Sequence, residues 1–185
     1  EHHDGLGHTV NGLTINLPSG NYVGLFGCTN GATLQNVALT NVNITGKHHV
    51  GGLVGQTAGD SITNSSSSGM VNGGASGNYV GGLVGYNGAD ISSSYSTCTV
   101  SGDFYIGGLV GANYANISNS HSTGAVTGVT SYVGGLVGGN EASISGSYST
   151  GAVSGGASSY RVGGLVGHND GGGGTARNEI GGAHV

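Results

Sequence analysis

The stretch "YVGGLVGYNGADISSSYSTCTVSG", residues 79–102, returns downstream as "YVGGLVGGNEASISGSYSTGAVSG", residues 132–155. Its anchor, GGLVG, stands at 51–55, 81–85, 107–111, 134–138 and 163–167, and a variant, VGLFG, at 23–27. The leading leucines Leu25, Leu53, Leu83, Leu109, Leu136 and Leu165 are separated by 28, 30, 26, 27 and 29 residues. A period that varies by a few residues around constant anchors marks structural units joined by surface loops. On these anchors the chain divides into an N-terminal segment, 1–22, and one continuous array of repeats, 23–185.

Inside a unit the pattern favours strands. After Leu83 come a turn-like YNGAD, an alternating ISSSYST, a TVSG and a loop back to YIGGLVG. Alternation with period two between turn residues is the strand signature, and a helical face does not survive so many glycines. Each unit of about 27 residues therefore reads as about three short strands, and six units as an all-β solenoid, a β-helix, of about six coils. Ile91, Ile117 and Ile144 fall eight residues after their leucines, and Val100, Val126 and Val153 seventeen after. Stacked at about 4.8 Å per coil, such columns become aliphatic ladders in a thin continuous core about 30 Å long. The glycine pair before each leucine serves either a positive φ at a corner or a close approach of two sheets.

Composition sets the exclusions. Of 185 residues 43 are glycine, 35% are hydrophobic and only 6% are charged, with Lys47, Arg161 and Arg177 facing eight acids. So few cations cannot neutralise a run of phosphates, which argues against nucleic acid and anionic membrane surfaces as partners. No apolar run approaches the roughly 18 residues of a membrane-spanning helix, so no membrane insertion is expected. The start, "EHHDGLGH", carries neither an initiator methionine nor a signal peptide, which suggests an excised piece of a longer product.

"HTVNGLTI" followed by "YVGLFG", then repeated "VGGLVGxN" and "ISxSYSTGxVSG", resembles the GLUG-motif repeat, from Asp4 nearly to the end of the chain. That family's repeats occur in large secreted or surface-attached bacterial proteins, many of them adhesin-like, and beside the protease domain of some secreted metallopeptidases that cleave immunoglobulin A. The resemblance implies an extracellular β-solenoid arm with no catalytic residues of its own. The chain departs from the family pattern at both ends: "EHH" replaces the aromatic expected before "DGLGHT", and the sixth unit stops before its "SYSTGxVSG" half. Uncapped solenoid ends expose strand edges, which predicts truncation or end-to-end stacking.

Chemistry-bearing groups are sparse. The column Asn87, Asn113, Asn140 and Asn169 fits a stacked amide ladder better than a ligand site. No HExxH or CxxC spacing occurs; among eight histidines only His2-His3-Asp4 and His48-His49 cluster, and His121 shares a column with Tyr95 and Tyr148. Asp60 and Asp90 share one turn column, Glu141 and Asp170 another; polar turns account for both better than a glycosidase pair does. No metal or other cofactor is expected. Cys28 and Cys98 lie about 9.6 Å apart along the axis, beyond disulfide reach, and are either free small apolar residues or, in an assembled fibre, candidates for crosslinks between chains. In "ISSSYST", "ISNSHST" and "ISGSYST" strict alternation from the isoleucine puts Ser92, Ser94, Ser96, Ser118, Ser120, Ser122, Ser145, Ser147 and Ser149 on the outside, a flat lattice of hydroxyls. Asn43, Asn64 and Asn116 are N-glycosylation sequons.

The function expected from these observations is non-enzymatic: an extracellular, cell-surface adhesin stalk or fibre subunit that self-associates or meets a host glycan or protein. Two other readings stand beside it. One is an ice- or carbohydrate-binding module using the serine face, the other an accessory repeat region of a secreted immunoglobulin A metallopeptidase.

Overall fold

The computed structural model describes residues 1–59 and 61–170. They form a parallel β-solenoid whose three sheets each gain a strand, or a strand pair, per coil. The first sheet stacks Phe26–Asn30, Val54–Ala58, Val84–Asn87, Val110–Asn113, Val137–Asn140 and Val166–Asn169. The second stacks His2–Asp4, Thr33–Gln35, Ser61–Thr63, Asp90–Ser92, Ile117–Ser118 and Ile144–Ser145. The third is broader. In the middle coils the chain crosses it first as a two-residue strand, such as Tyr95–Ser96, and then as a long bent one, Thr99–Gly107, whose register slips between Gly102 and Phe104. No α-helix occurs among the described residues. A 3-10 turn, Gly74–Ser76, occupies the loop that stretches the interval between Leu53 and Leu83 to 30 residues.

Identical residues stand over one another because the pairing is parallel and in register. Ile62 faces Ile91, Ile91 faces Ile117 and Ile117 faces Ile144, while Val71, Val100, Val126 and Val153 form a second column. Leu53, Leu83, Leu109 and Leu136 are completely buried beside them. No coil could shield these side chains alone, so each coil's stability resides in its neighbours.

The glycine pair before each leucine takes the second of its two possible roles. Neither member has a positive φ. A Cβ on Gly107 would lie 2.8 Å from Gly138 N and 2.9 Å from Leu136 O, and nearer still to Val110 O. These glycines let backbones of adjacent sheets and coils close on each other.

Positive φ falls elsewhere, most regularly at two corners. Tyr22, His49, Tyr79, Tyr105, Tyr132 and Arg161, immediately before the Val or Ile of each anchor, adopt φ between 54° and 64°. Asn36, Asn64, Ser93, Asn119 and Gly146, between the second and third sheets, adopt φ between 48° and 55°. Asparagine and glycine suit this conformation; tyrosine does not, and repeating it in successive coils needs compensation. The rings supply it: Tyr79, Tyr105 and Tyr132 stack with centroids 5.0 and 4.6 Å apart and planes within 14° and 4°.

Candidate interaction surfaces

The second corner overturns the serine face. Ile91 points into the core and Ser92 outward, but Ser93, at φ 49°, turns the chain and resets the alternation. Ser94 and Ser96 therefore point inward and are buried, as are Ser120, Ser122, Ser147 and Ser149 in the coils that follow. Of the nine serines expected outside, only Ser145 is exposed, with Ser92 and Ser118 half-buried. The aromatic column moves out instead: Tyr95 and Tyr148 are exposed and His121 is half-buried between them, its ring parallel to theirs at 5.0 and 4.9 Å. Burial of His121 and His49 pushes both imidazoles below the usual histidine range.

The first inward serine of each coil, Ser94, Ser120 or Ser147, completes the backbone ladder at the corner. Ser94 Oγ donates to Ser92 O at 2.8 Å and accepts the Ser65 N–H at 3.1 Å; the Ser94 N–H in turn reaches Ser120 Oγ, and the Ser120 N–H reaches Ser147 Oγ. Where the chain turns, the hydroxyl stands in for the carbonyl that would have received the neighbouring coil's amide. Ser94→Ala should therefore cost about 1–3 kcal/mol by stranding a buried N–H, a loss that urea titration measures. Thr97→Ala, on the outer surface, should cost well under about 0.5 kcal/mol.

The asparagine column is a ladder as the sequence suggested. Asn87, Asn113 and Asn140 each donate from Nδ2 to Oδ1 of the next, at 2.7, 2.8 and 2.7 Å, ending on Asn169, and Thr57 Oγ1 donates to Asn87 Oδ1 at the other end. Each of these three amides also donates to the carbonyl two residues on.

The remaining polar candidates are engaged locally. Asp90 accepts from the Asn116 N–H and from Asn116 Nδ2; Asp60 lies outside the described residues. Glu141 and Asp170 are exposed. Asp4 receives Asn36 Nδ2, the Leu6 N–H and Gln35 Nε2, which lower its pKa to about 2. The described residues contain no group of three or more His, Cys, Asp or Glu that could hold a metal ion. All three sequon asparagines are exposed, although Asn64 Nδ2 is bonded to Asn36 and Asn116 Nδ2 to Asp90. An open groove of 280 Å³ lies over Tyr22, His49 and Tyr79. It offers a ligand little ring face, because His49 packs against both tyrosines at 4.8 and 5.0 Å.

The cysteines separate. Cys28 is exposed and remains available to another chain, but Cys98 is completely buried beside Ser67 and Ser96, and burial pushes its thiol pKa up. A crosslink through Cys98 is thereby corrected: the side chain fills a core column. The native protein should titrate one thiol, Cys28, with a membrane-impermeant or aqueous disulfide reagent, and the second only on unfolding. Two thiols reacting at the same rate under native conditions would contradict the burial.

Fold and internal columns together define a parallel β-solenoid repeat protein. The family model for the GLUG motif matches residues 46–72, 76–103, 102–127 and 130–154, more than half of the chain, and the chain belongs to that family. It is also similar to Halomucin from Haloquadratum walsbyi, 42% identical over 89 residues, which are 47% of this chain and 1% of that protein. Among solved structures it is similar to one assigned as an immunoglobulin A1 protease from Bacteroides ovatus, with a TM-score of 0.59 and 20% identity over 90% of this chain and 57% of that one. At that identity the likeness concerns the fold, and the chain spans little more than half of that structure.

Proposed function

We propose that the chain is a non-enzymatic structural segment of an extracellular, surface-exposed protein, serving as a stalk or fibre subunit. The observation that carries this reading is the continuity of the columns: aliphatic, serine and asparagine ladders pass from coil to coil, and the backbone hydrogen bonds between coils run along the long axis. Repeated residues thus serve the rod itself, as a mechanical element requires. The first coil's Leu13, Ile15, Leu25 and Phe26 are only half-buried, and there further coils, from the same chain or another, add by strand pairing. The similarity to a small fraction of the far longer Halomucin supports a place within a much longer protein. The ice- or glycan-binding reading loses six of the nine serines it relied on. The fold shared with the Bacteroides protein carries no protease activity over to this chain.

Digestion with a broad-specificity protease tests the proposal. A load-bearing solenoid should survive as one fragment spanning the coils, whereas rapid cleavage at the coil loops would contradict it. Electron micrographs then distinguish the two forms: filaments for a fibre subunit, short separate particles for a stalk segment.

A further inference from the structure

The turn at Ser93 that hides the serines brings a different set of side chains to the surface of the third sheet. One outward row runs Ser66, Tyr95, His121, Tyr148, in register from coil to coil. The next carries Thr97, Thr123 and Thr150, all exposed, and no intrachain hydrogen bond engages their hydroxyls among the described residues. Beyond these lie Met70 and Thr99, paired across adjacent coils, and Thr127 with Ser154. No charged residue occupies these rows, although the chain carries a net charge of -5. The exposed large hydrophobic residues concentrate here too. Leaving aside the first and last coils, they are Met70, Tyr95, Tyr114, Val129 and Tyr148, and all but Tyr114 lie on this sheet.

We propose that this face pairs with the same face of a second copy of the chain. Three properties of the face favour that occupant. A periodic surface is matched along its whole length only by a partner with the same coil spacing, and a second copy has it by construction. Free threonine hydroxyls both donate and accept, so a row of them is self-complementary about a two-fold axis. The absence of charge removes the like-charge repulsion that a net negative chain would otherwise bring to a homotypic contact. Six coils at about 4.8 Å and seven strand residues at about 3.3 Å cover about 650 Å² per partner, about 1,300 Å² in all, which falls at the lower end of specific interfaces. Tyr95, Tyr148 and Met70 act as its anchors, and every added coil enlarges the contact. This lateral pairing deepens the structural reading, on which it rests, by adding a mode of assembly at right angles to strand addition.

Sedimentation of the full chain over a concentration series tests it, with Thr123→Lys placing a charge at the centre of the face and Ser145→Lys a charge on the outer face of the second sheet. The wild type and Ser145→Lys should form dimers of twice 17.8 kDa; Thr123→Lys should dissociate at least tenfold more readily while melting like the wild type. A wild type that stays monomeric to about 100 μM, well above the micromolar Kd such an area supports, would overturn the pairing. So would equal weakening by both lysines. Protease-resistant monomers would discard the pairing and leave the stalk reading standing, whereas cleavage between coils would discard the stalk itself.

Discussion

Asn113→Leu should bring the protein close to unfolding. Asn113 Nδ2 donates to Asn140 Oδ1 at 2.8 Å and to Ala115 O at 2.6 Å, and its Oδ1 accepts Asn87 Nδ2 at 2.7 Å. Leucine has similar bulk but none of these bonds, so it strands a donor above, an acceptor below and a carbonyl beside it. Each stranded buried group costs about 1–3 kcal/mol, and three approach the whole 5–15 kcal/mol that holds a typical domain. The expected loss is therefore at least about 3 kcal/mol by urea denaturation. Asn169→Leu, at the exposed end of the same ladder, removes only the acceptor of Asn140 Nδ2 and should cost a fraction of that. Equal losses at the two positions would show that the ladder is incidental to the fold.

Gly107→Ala is the second large effect, and its origin is steric. The atoms an added methyl would meet, Val110 O, Gly138 N and Leu136 O, all belong to backbone, two of them in the adjoining coil. Backbone fixed on both sides by ladder hydrogen bonds cannot move aside as a flexible side chain can. The cost should therefore exceed the usual 1–3 kcal/mol of overpacking, to about 3 kcal/mol or more. Gly59→Ala provides the contrast: nothing lies within 4 Å of its Cβ, and only the positive φ of 64° penalises it, by about 1–2 kcal/mol. The order of the two urea midpoints separates close approach from backbone conformation as the reason for glycine. A Gly107→Ala variant as stable as Gly59→Ala would contradict the packing described.

The period, the all-β class, the aliphatic columns and the asparagine ladder were all readable from sequence. In a parallel solenoid identical residues meet themselves, so one-dimensional recurrence is already a contact map. The serine rows were misread because the alternation was counted straight through residue 93. The signal for the break lies in that column itself, Asn36, Asn64, Ser93, Asn119 and Gly146, where asparagine and glycine predominate. These are residues that tolerate a left-handed conformation, and a left-handed residue reverses the facing of everything after it. The tyrosine corner was beyond sequence reasoning for the opposite reason. Its residue type argues against positive φ, and only the stacking of rings between coils makes the conformation tenable. The glycine pair could not be assigned to turn or close approach until the neighbouring coil was in place.

The central claim is that the repeated polar residues are internal elements of a rod rather than its surface chemistry. Residue-resolved hydrogen exchange tests it most directly. The amides of Ser65, Ser94 and Ser120, bonded to hydroxyls of the next coil, and the side-chain amides of Asn87, Asn113 and Asn140 should exchange as slowly as the core valines and isoleucines, through global unfolding alone. Serine and asparagine protons that exchange within minutes while Val100, Ile117 and Val126 stay protected would contradict the account.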